Sequence, residues 1–294
     1  MFSSCLSSYE EVVVRAELTH PAHVRCVAAS DVFVVTGSND PDVRVWSAET
    51  GALIKELVGH TAAVQSVDVS KNSLFVVSGS CDKTAIVWSA VTWLPVFRME
   101  HTGRVRSVCF TPRNEVVTGS WGSGAQVWSL DTKTMTRQLN PKKDFISSVV
   151  SFGDGLRLAT GSVDGEVMIW SSNESVPTAK LSKKEDGSVT ALAVSPNGEM
   201  LAVGCSTGIV RVWWTDTGMT FRKFTDHTAQ ITSLSFSNEM LASTSHDKTI
   251  RVHVLAQDKS KVMHGEGLTA CCVIAPTGEL LTGSNRTVTC WSAF

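Results

Sequence analysis

The sequence predicts an all-β protein assembled from seven similar units, and three observations indicate this. Short β-branched runs that end in an aromatic or histidine residue recur along almost the whole chain, at intervals of 38 to 43 residues. Upstream of each run lies an apolar stretch that ends in a small-residue turn, such as VVTGSND or VVSGSCD. No segment has a sustained 3.6-residue apolar period, so we expect very little helix. Repeats of this length are typical of arrays and closed rings.

The seven runs define the units in order along the chain. They are DVRVW ending at Trp46, TAIVW at Trp88, GAQVW at Trp128, EVMIW at Trp170, IVRVW at Trp213, TIRVH at His253 and TVTCW at Trp291. A further apolar alternation precedes each small-residue turn, for example Val64, Val67 and Val69. Short β-branched runs separated by Gly, Asp, Asn and Ser turns predict antiparallel strands joined by tight hairpins.

This pattern resembles WD40 repeats, and the resemblance covers nearly the whole chain. In that family each repeat makes one four-stranded blade of a propeller. The resemblance implies an all-β, seven-bladed β-propeller with four-stranded antiparallel blades, formed as a single domain over residues 1–294. The Trp-Asp dipeptide has drifted, since Trp is followed by Ser in five of the six units that keep it. Seven units in phase still make the assignment far more specific than any single motif.

We expect the ring to be closed by the N-terminal segment. Phe294 lies only three residues after Trp291, which leaves the last unit no room for a fourth strand. Residues 9–18 (YEEVVVRAEL) form a strand-like segment that belongs to no unit of its own. If residues 9–18 supply the outer strand of the last blade, an exposed edge is removed and the ring is locked.

The resemblance also implies a hydrogen-bonded set of four residues in a complete blade. An indole N–H can only donate, so a buried Trp needs an acceptor, and a buried carboxylate needs donors. The first unit supplies His20, Thr36, Asp40 and Trp46, and the second supplies His60, Ser78, Asp82 and Trp88. Other units keep only part of the set: Gly122 replaces the Asp of the third unit, and His253 replaces the Trp of the sixth.

Composition narrows the class of function. A net charge of −2 gives no general attraction for nucleic acid or for an anionic membrane, so we expect nucleic acid to be reached only through a complex. No apolar run suggests a membrane span, and the N-terminus lacks the regions of a secretory signal. Eight scattered cysteines without a Cys-x-x-Cys pair are typical of free thiols in a reducing compartment. We therefore expect a cytoplasmic protein, with the nucleus also open.

The histidines give no sign of an enzyme. Of the eight, five occupy the repeat position and His253 replaces a Trp, which leaves His23 and His246. Two such residues without a carboxylate cluster are a poor start for a metal or catalytic site. We predict a protein without catalytic activity, metal or cofactor.

A partner-binding surface is predicted on the third and fourth blades. By register, Arg104, Arg106, Trp121 and Phe145 are exposed together there, and Trp and Arg are the residues most enriched in interface hot spots. We expect these four residues, with Arg25 at the margin, to bind an acidic or phosphorylated segment of a partner. Further candidates on the same face are His23 and His246. The alternative is that Trp121 packs over Gly122 and that the arginines are merely solvated.

Three functions stay open at this stage. The first is a scaffold or adaptor subunit of a multiprotein complex, monomeric on its own. The second is a ubiquitin-binding or substrate-receptor propeller, because faces of this kind resemble ubiquitin-binding surfaces. The third is a ribonucleoprotein-associated protein. Two basic pairs could contact nucleic acid in that case: Lys142, Lys143, Lys183 and Lys184.

Overall fold

The chain forms a closed ring of β-sheets. The computed structural model describes residues 13–139, 145–182, 186–237, 240–256, 259–264, 269–274 and 279–292. In these ranges 28 strands form seven four-stranded antiparallel sheets, and no residue lies in an α-helix. The predicted seven-bladed propeller is confirmed. It follows that the described ranges contain no helix long and apolar enough to cross a membrane.

Each blade runs from its innermost to its outermost strand. Blade one comprises β2 (Val24–Ala29), β3 (Phe33–Ser38), β4 (Val43–Ser47) and β5 (Leu53–Leu57). Blade two comprises β6 (Val64–Val69), β7 (Phe75–Ser80), β8 (Thr84–Ser89) and β9 (Pro95–Glu100). Blade three comprises β10 (Val105–Thr111), β11 (Glu115–Ser120), β12 (Gly124–Ser129) and β13 (Thr134–Leu139). Blade four comprises β14 (Ile146–Ser151), β15 (Arg157–Ser162), β16 (Glu166–Ser171) and β17 (Pro177–Ser182).

The remaining blades follow the same order, except that the last takes its outer strand from the N-terminal part of the chain. Blade five comprises β18 (Val189–Val194), β19 (Met200–Cys205), β20 (Val210–Trp214) and β21 (Thr220–Phe224). Blade six comprises β22 (Ile231–Phe236), β23 (Met240–Ser245), β24 (Thr249–Val254) and β25 (Lys259–His264). Blade seven comprises β26 (Thr269–Ile274), β27 (Leu280–Ser284), β28 (Thr287–Ser292) and β1 (Val13–Thr19).

The ring is closed as predicted, by pairing between the two ends of the chain. Strand β1 lies antiparallel to β28, with Val13 opposite Ser292 and Thr19 opposite Thr287. The described strand covers residues 13–18 of the predicted segment 9–18, and residues 9–12 lie outside the described ranges. The pairing covers the edge that β28 would otherwise expose.

Neighbouring blades approach so closely that only glycine fits at the contact. A Cβ atom added to Gly37 would lie 2.5 Å from Val64 Cγ1, and one added to Gly161 would lie 2.5 Å from Val189 Cγ1. A Cβ atom added to the glycine would come within 2.5 to 2.7 Å of the neighbouring blade in three more pairs: Gly79 with Val105, Gly119 with Ile146, and Gly204 with Ile231. The small-residue turns therefore also set the spacing between blades.

Side-chain hydroxyls tie the innermost strands of adjacent blades together. Ser66 Oγ accepts a hydrogen bond from the Val108 N–H at 3.1 Å, which joins blade two to blade three. The same bond joins the next two pairs of blades, with distances of 3.0 and 3.1 Å: Val149 N–H to Ser107 Oγ, and Leu192 N–H to Ser148 Oγ. The innermost strand of a blade has a strand partner on one side only, and its N–H groups on the other side face a neighbouring blade. The serine hydroxyls of that blade accept hydrogen bonds from these N–H groups.

Blade two contains the complete hydrogen-bonded set. Trp88 Nε1 donates to Ser78 Oγ at 2.9 Å, and His60 joins Ser78 Oγ at 2.8 Å to Asp82 Oδ2 at 2.9 Å. Burial opposes ionisation of Asp82, but the bonds from His60, from the Thr61 N–H and from the Thr84 hydroxyl hold the pKa of this carboxyl below its usual range.

Blade one differs from the expected set. Trp46 Nε1 donates to Thr36 Oγ1 at 2.8 Å, but both ring nitrogens of His20 are buried without a partner in the described structure. The reason is Arg44, whose Nη1 donates to both oxygens of Asp40 at 3.1 and 2.8 Å. The carboxylate that would have faced His20 is taken up by this ion pair.

We predict that Ser78→Ala destabilises the protein more than Ser243→Ala does. Both serines are fully buried, but Ser78 accepts from Trp88 and bonds His60, whereas Ser243 bonds His227 in a blade where His253 replaces the Trp. A buried group left without its partner costs about 1–3 kcal/mol. Urea unfolding of both variants measures the difference, and equal losses would mean that the indole bond contributes nothing.

Buried histidines should make the fold sensitive to acid. Burial is the main cause that lowers the pKa of His20, His101 and His253 to about 4, and at His20 the positive charge of Arg44 contributes to this lowering. Between about pH 6.5 and about pH 4 the unfolded chain therefore binds more protons at these sites than the folded chain, so stability falls as the pH falls. Asp68 acts in the opposite direction, because burial raises its pKa to about 6.

We predict that His101→Gln loses less stability than the wild type between pH 6.5 and pH 4. Glutamine does not titrate in this range and can still bond Thr118 Oγ1, which His101 Nε2 contacts at 2.8 Å. Urea unfolding at several pH values gives the slope of the free energy of unfolding against pH. A variant with the wild-type slope would contradict the assignment of a buried, neutral His101.

Candidate functional site

The turn that presents Trp121 is rebuilt relative to its counterpart in blade two. Gly122, at the position of Asp82, has a φ of +90°, a conformation that favours glycine. Thr102 Oγ1 bonds Ser123 Oγ across the turn, where blade two uses the Asp82 carboxylate. As a consequence, His101 Nδ1 is buried without a partner in the described structure.

Gly103 makes this turn possible. The Trp121 N–H donates to the Arg104 carbonyl at 3.0 Å, and the Trp121 carbonyl passes directly over Gly103. A Cβ atom on Gly103 would lie only 1.7 Å from that carbonyl oxygen. Gly103 is not among the residues predicted from the sequence, although HTGR in the third unit contrasts with HTAA and HTAQ in the second and sixth.

Four of the predicted residues form one group, which we call the cationic-aromatic cluster: Arg104, Arg106, Trp121 and Phe145. The rings of Trp121 and Phe145 meet edge to face with centroids 5.5 Å apart. The guanidinium carbons of Arg104 and Arg106 each lie 5.8 Å from the centroid of the Trp121 ring. Phe145 is 52% exposed, so the apolar part of the cluster is open to a partner. Trp121 therefore packs against Phe145 and the arginines, not over Gly122 alone.

Beside the cluster lies the mouth of the central channel. It is a cavity of about 400 Å³ whose lining includes Arg25, Arg106, Trp121 and His246, together with Gln65, Ser147 and Thr190. The lining residues include no carboxylate among those that the structure describes. His23 lies elsewhere, in a separate cavity with His264 and Arg286. Four of the seven predicted residues thus line the mouth, Arg104 and Phe145 adjoin it through Trp121, and His23 lies apart.

Three guanidinium groups at or beside the mouth have no acidic partner among the described residues. Arg25 Nε donates to Asn39 Oδ1 at 2.7 Å, and Arg106 Nη1 donates to Gln65 Oε1. In the described part of the chain, no carboxylate oxygen lies within 4.0 Å of Arg25, Arg104 or Arg106. Burial lowers the pKa of Arg106, and the charges of Arg25 and Arg104 lower it further, against the effect of Cys81. Such a group attracts anions.

Comparison with known proteins identifies the class of protein. The chain matches the family model described as "WD domain, G-beta repeat" over residues 14–47, 51–89, 93–129, 133–171 and 259–292, which is more than half of its length. The chain therefore belongs to the WD-repeat family, whose propellers are typically non-enzymatic interaction scaffolds. A model described as "Anaphase-promoting complex subunit 4 WD40 domain" matches residues 158–239.

Individual relatives are similar at a modest level. Protein tipD of Dictyostelium discoideum is 28% identical over 86% of this chain and 44% of its own length. U3 small nucleolar RNA-associated protein 15 of Schizosaccharomyces pombe is 31% identical over 67% of this chain and 40% of its own length. Small ribosomal subunit protein RACK1y of Oryza sativa is 28% identical over 51% of this chain and 48% of its own length. The chain thus spans less than half the length of these three relatives.

We predict that Gly103→Ala displaces Trp121 while leaving the propeller folded. The new methyl group would collide with the Trp121 carbonyl, and the turn must move to relieve the overlap. The indole N–H signal of Trp121, assigned from a Trp121→Phe variant, should shift in a ¹⁵N-tryptophan NMR spectrum. Gly153→Ala is the matched control, because its nearest atom is Pro196 O at 3.2 Å. An unshifted Trp121 signal would show that the turn tolerates a side chain at this position.

Proposed function

We propose that this chain is an assembly scaffold that binds an acidic or phosphorylated segment of a partner protein at the mouth of its channel. The observation that carries the proposal is the group of three arginines, without carboxylate partners among the described residues, beside the half-buried Trp121 and the exposed Phe145. Like charges gathered in a partly buried site repel one another, and an anionic ligand relieves that repulsion. Guanidinium groups also match carboxylate and phosphate geometry bidentately.

The aromatic pair gives the proposed site its second component. Phe145 and Trp121 offer apolar area next to the charges, and tryptophan and arginine are typical anchors of protein interfaces. The hydroxyls of Ser147 and Thr190, which also line the mouth, donate to the carbonyls of Gly161 and Gly204, each at 3.0 Å, so the arginines are the donors that we assign to the anion. A partner segment with a negative side chain beside an apolar one would therefore contact both parts of the site.

Two other functions are weighed against this proposal. The named relative from Schizosaccharomyces pombe is associated with a small nucleolar RNA, which supports a ribonucleoprotein role. The basic pairs at Lys142, Lys143, Lys183 and Lys184 lie outside the described residues. Ubiquitin binding is the other alternative. Titration with free ubiquitin tests that alternative, and steep salt dependence of RNA binding tests the ribonucleoprotein role.

We also propose that the protein acts in the cytoplasm, as expected from its cysteines. Among the described residues Cys26, Cys81, Cys109, Cys205 and Cys290 are free thiols. Burial raises the pKa of Cys26 to about 12, so this thiol stays protonated and unreactive. Free thiols in strands are typical of a reducing compartment, and imaging of the tagged full-length protein tests the location.

The combined substitution of Arg104→Glu, Arg106→Glu and Trp121→Ala should abolish partner capture. Reversing two charges and removing the aromatic anchor should weaken binding about tenfold or more, because such residues dominate interface energies. Proteins that co-purify with the wild type and with the variant are compared after equal melting temperatures have been confirmed.

The matched control reverses two other exposed charges, Lys55→Glu and Lys71→Glu, away from the channel mouth. A discrete set of partners should be retained by the wild type and this control but lost from the combined variant. An unchanged set of partners on the combined variant would refute a working site at the cationic-aromatic cluster.

A further inference from the structure

On the face opposite the cationic-aromatic cluster, neighbouring blades meet at clefts, of which those between blades one and two, four and five, and seven and one are built from described residues. One wall of a cleft is formed by the residue at the start of the second strand of a blade. In most blades the second strand ends in a serine, and this residue lies five positions before that serine. The other wall is the turn that follows the third strand of the next blade. Positions three and five residues after the repeat tryptophan lie in that turn. Comparing the clefts around the ring shows which side chains fill them.

An aromatic side chain fills the cleft between blades one and two. Trp93, five residues after Trp88, meets Phe33 edge to face with centroids 5.5 Å apart. The backbone of Trp93 has a φ of +58°, an unfavourable conformation for a bulky residue. Gly51, Lys133 and Gly218, at the equivalent position of other blades, also have a positive φ, so this conformation belongs to the turn, and Trp93 uses it to pack on Phe33.

An arginine fills the equivalent cleft between blades four and five. Arg157 Nη1 donates to Thr215 Oγ1 at 3.3 Å and to Asp216 Oδ1 at 3.2 Å, and Arg157 Nη2 donates to the Gly198 carbonyl at 3.3 Å. Asp216 stands three residues after the repeat Trp213, and Gly218 stands five residues after it. Here blade four supplies the cation and blade five supplies the carboxylate.

The cleft between blades seven and one has the same receiving wall without the arginine. Glu49 and Gly51 stand three and five residues after Trp46, as Asp216 and Gly218 do after Trp213. Glu279 stands five residues before Ser284, in the place that Arg157 takes before Ser162. The carboxylate of the receiving wall is thus retained, but the residue facing it is acidic instead of basic.

This cleft is an open cavity of about 560 Å³. Its floor is apolar and includes Leu18, Val34 and Leu281, while Asp31, Glu49 and Glu279 lie at its rim. None of the described residues that line it is a lysine or an arginine. Val32, which is 64% exposed, adjoins the rim. An apolar floor with an acidic rim suits a long side chain that carries a positive charge at its end.

We propose that the cleft between blades seven and one is a docking pocket for an arginine of a partner protein. The partner's guanidinium group takes the place that Arg157 occupies between blades four and five, beside Glu49, and its methylene groups cover the apolar floor. An apolar residue next to this arginine packs on Val32. An arginine suits this cleft better than an aromatic residue does. An aromatic ring would remove water from the acidic groups at the rim without supplying a compensating charge. This second surface is independent of the channel mouth.

The test begins with phage-displayed peptides of random sequence selected on the full chain. Peptides that also bind the Glu279→Arg variant are removed first, because the introduced side chain should fill the cleft as Arg157 fills its own. We expect the remaining peptides to share an arginine with an apolar neighbour. Replacing that arginine by citrulline, which has the same shape without the charge, should weaken binding about tenfold, as expected for a charge-assisted bond.

Glu49→Gln, a mild surface change, keeps the test decisive if the Glu279→Arg variant folds poorly. The same peptides should bind Glu49→Gln about tenfold more weakly and should bind Trp121→Ala, on the opposite face, as the wild type does. Selected peptides without a shared arginine, or with affinities that neither citrulline nor Glu49→Gln changes, would overturn the proposal. If the peptides fail this test, the proposal of a partner site at the channel mouth still stands, because that proposal rests on other residues and is tested by other variants.

Discussion

The contact between a glycine of one blade and a β-branched residue of the next sets the geometry on which the rest of the propeller depends. With Gly79 against Val105, or Gly119 against Ile146, the blades lie close enough for serine hydroxyls to bond across the inner strands. The residue that follows each β-branched residue is then directed to the channel mouth. Arg106 and Ser147 stand there for this reason. The same close packing that stabilises the ring therefore also places the charges of the candidate site.

Departures from the repeat, and not the repeat itself, create the surfaces with binding potential. Blade three lacks the buried carboxylate, and its turn is instead built from Gly122 and Ser123, which present Trp121 toward Phe145. Blade seven has Glu279 where blade four has Arg157, and the adjoining cleft stays open. In both places an internal interaction has been lost and polar groups face outward. Local rules broken in this way are expected where a protein contacts a partner.

The two candidate surfaces, on opposite faces of the ring, differ in charge, and this difference suits a scaffold. Arg25 and Arg106 line the channel mouth with Arg104 beside it, whereas the cleft on the opposite face has an acidic rim. Because the sheets are closed through β1 and β28, the two surfaces are held on one rigid frame. Partners of opposite charge would be held apart by the thickness of the ring. The near-neutral net charge of −2 conceals this separation.

The number of blades, the strand order and the closure by the N-terminal segment follow from the sequence, because these depend on a periodic pattern of apolar residues and turns. Register in the same pattern also predicts that Arg104, Arg106, Trp121 and Phe145 share one face, since it fixes which side chains point outward. Three other features emerge only in the folded chain: Arg44 takes Asp40 away from His20, Gly103 admits the Trp121 carbonyl, and the described residues leave a cleft beside Glu49. These outcomes arise from competition between neighbours distant in sequence, and such competition is settled by packing in three dimensions.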